Sequence, residues 1–177
     1  MNILRYRLID PDNLQDIGLL LQWYSDPKIR HFSFPHLDAL AYRLEVQAEP
    51  LRLKLQRKMR GEYRMYIVTW NGKPIGEMSI EIGGGQLKKH RPKSAWIGLV
   101  IGEESARGQG LGARIMAKVE QIAAEMGARR IELSVFEFNR RAIGLYEKLG
   151  YIKFGRQEET TFWRGRLRGS HHMEKLL

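Results

Sequence analysis

Two kinds of apolar spacing alternate along the chain. In DPDNLQDIGLLLQWYSDP, Leu14, Ile17, Leu20 and Leu21 recur at intervals of three and four, which predicts a helix capped by Asp or Asn and stopped at Asp26-Pro27. A first strand is expected just before it, near Ile3 to Leu8. Helical spacing returns from Leu37 to Met59, but Pro50 does not fit a helix interior, so two helices, or one broken at Glu49, are expected there. YRMYIVTW and KPIGEMSIEI are β-rich runs joined by Asn71-Gly72, the dipeptide suited to a tight hairpin turn. Gly83-Gly84-Gly85 and a polar stretch to Ser94 then lead into AWIGLVIG, an apolar strand that fits the centre of a sheet.

The second half changes period again. Ile115, Met116, Val119, Ile122, Ala123 and Met126 form one stripe of a helix that begins after Gly112 and is closed by Gly127. IELSVFEF follows as a strand. Asn139 can cap a further helix with Ala142, Leu145, Tyr146 and Leu149 inside, and Gly150 stops it before YIKFG. One or two more strands are expected around Phe162 to Arg166 and His172 to Leu176. The order of elements predicts an α/β chain with a mixed, mostly antiparallel sheet of six or seven strands flanked by helices, in one domain spanning 1–177.

Composition narrows the chemistry. The 177 residues contain no cysteine, which excludes a disulfide framework, a zinc-cysteine site and a thiol nucleophile. No apolar run reaches the roughly 20 residues of a membrane span, and MNILRYRLID lacks the apolar stretch of a signal peptide, so a cytoplasmic protein with no membrane partner is expected. Thirty Lys and Arg against twenty Asp and Glu leave a net charge of +10, which favours anionic partners. LRLKLQRKMRGEYR, KKHRPK and RGRLRG are also explained as solvated basic faces.

The stretch ARGQGLGARIMAKVEQ places Gly108, Gly110 and Gly112 beside Arg107 at the mouth of a helix. A helix N-terminus offers unpaired N–H groups and partial positive charge, so glycines there let a phosphate approach the backbone. Gly108-Gln109-Gly110-Leu111-Gly112-Ala113 satisfies the dinucleotide pattern G-x-G-x-x-A, with Glu132 about 20 residues on. The context opposes that reading: Glu103 to Arg107 separate the glycines from the strand, too little chain follows for more βαβ units, and Glu132 fits a solvent-facing strand position.

Arg107-x-x-Gly110-x-Gly112 resembles the Arg/Gln-x-x-Gly-x-Gly/Ala signature of the GNAT N-acetyltransferase superfamily. Asn139-Arg140-Arg141-Ala142-Ile143-Gly144-Leu145-Tyr146-Glu147-Lys148-Leu149-Gly150-Tyr151 is similar to its N-x-x-A-x-x-L-Y-x-K-x-G-F segment. The two cover roughly Trp96 to Phe154, and WYSDPKIRHF resembles a stretch of the RimJ/RimL-like branch. The resemblance implies a sheet splayed between its fourth and fifth strands, with acetyl-CoA as co-substrate and no metal. It places Arg107, Gly108, Gln109, Gly110, Leu111, Gly112 and Ala113 around the diphosphate, and Leu99, Val100 and Ile101 along the pantetheine. Asn139 and Ala142 join the cofactor site, and a bulge near Gly98 to Val100 would aim an N–H at the thioester oxygen.

By the same resemblance, Tyr146 is the acid that protonates the departing thiolate; as an inner-face aromatic it also needs no function beyond packing. The base is not identified. Glu77 and Glu81 share a strand face with Ser79 and fit surface positions, as do Glu103 and Glu104. Some similar enzymes carry a Glu five residues before the Asn motif, where this chain has Ser134. His171 and His172 point to opposite faces of a strand and do not suit one metal ion. The acceptor is expected between the Trp23 to Phe34 region and the ends of the cofactor strands, as a small-molecule amine or a protein N-terminus. A homodimer and ribosome association fit similar proteins and the basic charge. The competing reading is a non-catalytic basic module that binds acyl-CoA or RNA.

Overall fold

The computed structural model describes residues 2–33 and 46–177. Seven strands form one sheet in the order β1-β2-β3-β4-β5-β7-β6. They are β1 (Leu4–Leu8), β2 (Tyr63–Trp70), β3 (Lys73–Ile82), β4 (Ser94–Ile101), β5 (Arg130–Phe136), β6 (Ile152–Trp163) and β7 (Arg166–Leu176). All neighbours run antiparallel except β4 and β5, whose parallel pairing is confined to Ser94–Trp96 against Arg130–Glu132. Beyond Trp96 the two strands diverge, as expected. The bulge expected in β4 is absent: Ala95 to Ile101 pair with β3 without a register shift.

Helices α1 (Leu14–Ser25), α2 (Pro27–Ser33) and α3 (Ala48–Met59) cover one face. Asn13 caps α1 by accepting from the Gln15 N–H, and the helix ends at Asp26 as expected. Pro27 does not stop the chain there; it opens α2, because its fixed φ and missing N–H suit a first helical position. Pro50 is likewise accommodated in the first turn of α3, so the break at Glu49 is a helix start. The rest of the expected helical segment, 37–45, lies outside the described residues.

The other face is covered by α4 (Leu111–Glu125) and α5 (Arg140–Lys148). The predicted α4 stripe is buried at Ile115, Met116, Val119, Ile122 and Ala123. In α5 the deepest residues are Ile143, which the sequence reading passed over, and Tyr146. The strand expected at Phe162 to Arg166 is interrupted by the turn of the β6–β7 hairpin: β6 ends at Trp163, Arg164 and Gly165 make the turn at positive φ, and β7 begins at Arg166.

Glu132 is also not solvent-facing. It is 0% exposed, ion-paired with Arg130, and accepts the N–H groups of Lys88 at 2.8 Å and Lys89 at 3.3 Å. Arg130 also pairs with Glu174 at 2.5 Å. This buried network closes the sheet at the point where β4 and β5 still pair and ties the β3–β4 loop down onto it.

Candidate active site

The divergence of β4 from β5 opens a cleft through the sheet with a volume of about 1470 Å³. Leu99, Val100 and Ile101 line one side, with Leu133, Ser134 and Val135 on the other. Arg107, Gly108, Gly110, Leu111, Gly112 and Ala113 form its rim at the α4 end, where Asn139, Ala142 and Tyr146 meet them. Of the residues expected at the cofactor, Gln109 does not line the cleft.

The glycines have separable reasons. Gly108 and Gly110 adopt φ of 83° and 73°, left-handed values that a side chain would strain, and Gly110 is the N-cap of α4. At Gly112 the reason is packing: a Cβ there would lie 2.9 Å from Leu145 Cδ2 of α5, so a larger residue requires the Leu145 side chain to turn aside. Arg107 donates from Nε to the Ile101 carbonyl at 3.1 Å and from Nη2 to the Gly102 carbonyl at 2.7 Å. Its side chain therefore fastens the loop to the end of β4. A second cation, Arg141, reaches the loop and would lie 3.3 Å from a Cβ at Gly108.

Asn139 caps α5 by accepting the Ala142 N–H at 3.2 Å. That cap holds the helix that carries Tyr146, whose ring is 8% exposed and packs against Tyr151. Burial pushes the Tyr146 phenol up to about 12, so it is a proton donor throughout the neutral range.

On the α1–α3 side several residues sit deeper than their strand and helix positions suggest. Glu77 is a buried residue, 4% exposed, with Oε1 accepting from the Tyr24 hydroxyl at 3.1 Å. Its Oε2 is buried with no hydrogen-bond partner among the described residues. Burial raises its carboxyl to about 7, although the Tyr24 hydrogen bond acts in the opposite direction. Two-residue alternation puts Glu81 on the same face, where it pairs with Lys58 at 2.7 Å. Trp23, expected at the acceptor, is instead core at 1% exposed, with its indole N–H on Glu103 at 2.9 Å. Glu104 pairs with Lys28 at the surface. Phe34, at the end of the same expected region, lies outside the described residues.

Among the described residues, no cluster of three or more His, Asp or Glu is placed to hold a metal. His171 and His172 face opposite sides of β7, and His172 alone lines the cleft.

Residues 20–151 match the acetyltransferase (GNAT) family. The chain belongs to that family. A bovine (Bos taurus) thialysine N-epsilon-acetyltransferase is 43% identical over 44 residues, 25% of this chain and 26% of the length of that protein. The chain therefore aligns with about a quarter of that relative's length.

Solved GNAT structures share the fold across nearly the whole chain. YncA from Salmonella typhimurium, determined with acetyl-CoA, gives a TM-score of 0.77 at 15% identity, covering 98% of this chain and 94% of that one. Spermidine N-acetyltransferase from Vibrio cholerae, determined with CoA and spermine, gives 0.78 at 18% identity, covering 98% and 95%. In the present GNAT chain, Glu77, Lys88, Arg141 and His172 line the cleft although the sequence alone did not point to them there. The signal for Glu77 was its place on the strand face opposite Met78 and Ile80, which only the packing of α1 turns into an interior position.

Proposed function

We propose that the protein transfers an acetyl group from acetyl-CoA to a primary amine in a ternary complex. The observation that carries this reading is a buried carboxylate, Glu77, with one oxygen unpartnered, lining the same cleft as the buried phenol of Tyr146.

The cleft suits the acetyl donor on its own geometry. Gly108 and Gly110 leave the backbone open at the α4 N-terminus, which with Arg107 and Arg141 favours a diphosphate. The diverging edges of β4 and β5 offer extended backbone to a pantetheine arm, much as a sheet edge accepts a strand. When bound there, acetyl-CoA supplies an activated thioester, whose C–S bond is exchanged for a C–N bond.

The chain's own residues then manage two protons. Glu77 Oε2, with a carboxyl near 7, accepts one from the bound ammonium, directly or through a water, and so frees the neutral amine that attacks the thioester. Tyr146 Oη donates one to the departing thiolate. As the C–N bond forms and the C–S bond breaks, the nitrogen gives up its second proton to solvent, which also restores Tyr146 and strips Glu77, so the balance is ammonium and thioester to amide, thiol and one released proton.

The test is calorimetric titration with acetyl-CoA, CoA and NADH, comparing wild type with Gly110→Asp, followed by thiol release against a panel of amines. Binding of both CoA forms, with neither NADH binding nor binding to Gly110→Asp, is expected. Failure of wild type to bind either CoA form would overturn the reading.

A further inference from the structure

The acceptor side of the cleft has a second buried atom in need of a partner. His172 is 7% exposed, lines the cleft from β7, and keeps its Nδ1 buried without a hydrogen-bond partner among the described residues. Its ring packs against Gly155 of β6, with Phe154 beside it, so it is fixed in place. Lys88, also lining the cleft, acts electrostatically on His172. The backbone of Lys88 is anchored by its N–H on buried Glu132, so the lysine is held at this wall.

The nearby carboxylates do not neutralise the pair. Glu132 is already matched by Arg130 and two N–H groups, and Glu174 by Arg130 and Lys89. Glu159 also lines the cleft, further along β6 within the irregular stretch between Gln157 and Thr161. Ser170 supplies a neutral donor beside His172, while the Ser134 hydroxyl donates to the His171 carbonyl at 3.5 Å. The wall is therefore built for a group that accepts hydrogen bonds and carries negative charge.

Its distance from Glu77 limits the molecule that joins them. Glu77 lies on β3 and His172 on β7, three strand positions apart across the stretch where β4 and β5 have diverged, so they are separated by more than the roughly 14 Å of an evenly paired sheet. The amine must react in the opening between them. A molecule whose amine reaches Glu77 and whose far end meets His172 must therefore be extended.

Resting on the acetyl transfer proposed above, we infer that the acceptor is an extended primary amine carrying a carboxylate or similar anion several bonds from the nitrogen, held by His172 and Lys88. Both are specificity-determining residues and take no part in the proton transfers.

Three probes of equal length test this: 6-aminohexanoate, 6-aminohexanol and 1,6-diaminohexane, assayed by thiol release. Wild type is expected to favour the carboxylate by about 10-fold or more in kcat/KM, through KM. His172→Gln should erase that advantage and Lys88→Glu should reverse it toward the diamine, with the KM for acetyl-CoA unchanged in both. Lys88 is exposed, so its variant keeps the test open should His172→Gln fold poorly. Transfer without a carboxylate preference, or folded variants that keep the wild-type order, would overturn this inference alone. No transfer to any of the three by a protein that acetylates other amines of the panel would likewise overturn this inference, whereas no transfer to any amine of the panel by a protein that binds acetyl-CoA would overturn the proposed reaction itself.

Discussion

Replacing Glu77 by Gln separates two consequences of one buried carboxyl. Burial raises the group from 4.5 to about 7, which corresponds to about 3 kcal/mol of penalty on the charged form. Because the folded value is the higher one, the wild type keeps its full stability below pH 4.5, where the group is neutral in both states. It loses stability as pH rises through about 7, and the loss then levels off. Glu77→Gln has no such loss. The two proteins should melt together, apart from a constant offset, near pH 4 to 5. Above pH 8 the variant should gain about 3 kcal/mol relative to wild type, or roughly 6 to 12 °C for a chain of this size. Thermal unfolding from pH 4 to 9 measures this directly. In kcat/KM, the wild type should show an acid limb centred near pH 7, while the variant loses that limb and about 10²-fold or more in turnover. Parallel stability curves would refute the burial argument, and an intact limb in the variant would remove Glu77 from the reaction.

Tyr146→Phe should lower turnover by on the order of 10² while leaving acetyl-CoA affinity nearly intact; single-turnover kinetics beside calorimetry will show whether the two separate. Glu132→Gln leaves Arg130 and the Lys88 and Lys89 N–H groups with a weaker partner inside the sheet. It should cost about 3 kcal/mol or more, measured by denaturant unfolding.

Local chemistry made much of this fold legible. The Asn71-Gly72 hairpin, the α4 stripe, the Asn139 cap and the glycines at the α4 mouth depend on neighbours a few residues away, and the structure has them where the sequence puts them. The failures share another cause. Glu77, Glu132 and Trp23 look like a surface acid, a surface acid and a pocket aromatic because strand alternation or helix position alone cannot say what packs above them. Each is buried by an element distant in sequence: α1 over Glu77, the Lys88–Lys89 backbone over Glu132, and Gly102 against Trp23. The missing β4 bulge and the β6–β7 turn are register features, set by pairing between strands and invisible to single-strand patterning.

The contact between Gly112 and Leu145 joins the two sequence signatures. Some thirty residues separate them along the chain, yet they press on one another where α4 meets α5. The two segments are therefore coupled in space: a side chain larger than hydrogen at 112 presses on Leu145, whose side chain must turn aside or be shortened, so a change at either position acts on its counterpart. Paired replacement at these two positions, such as Gly112→Ala with Leu145→Ala, is the natural unit in which this chain tolerates variation at the mouth of its cleft.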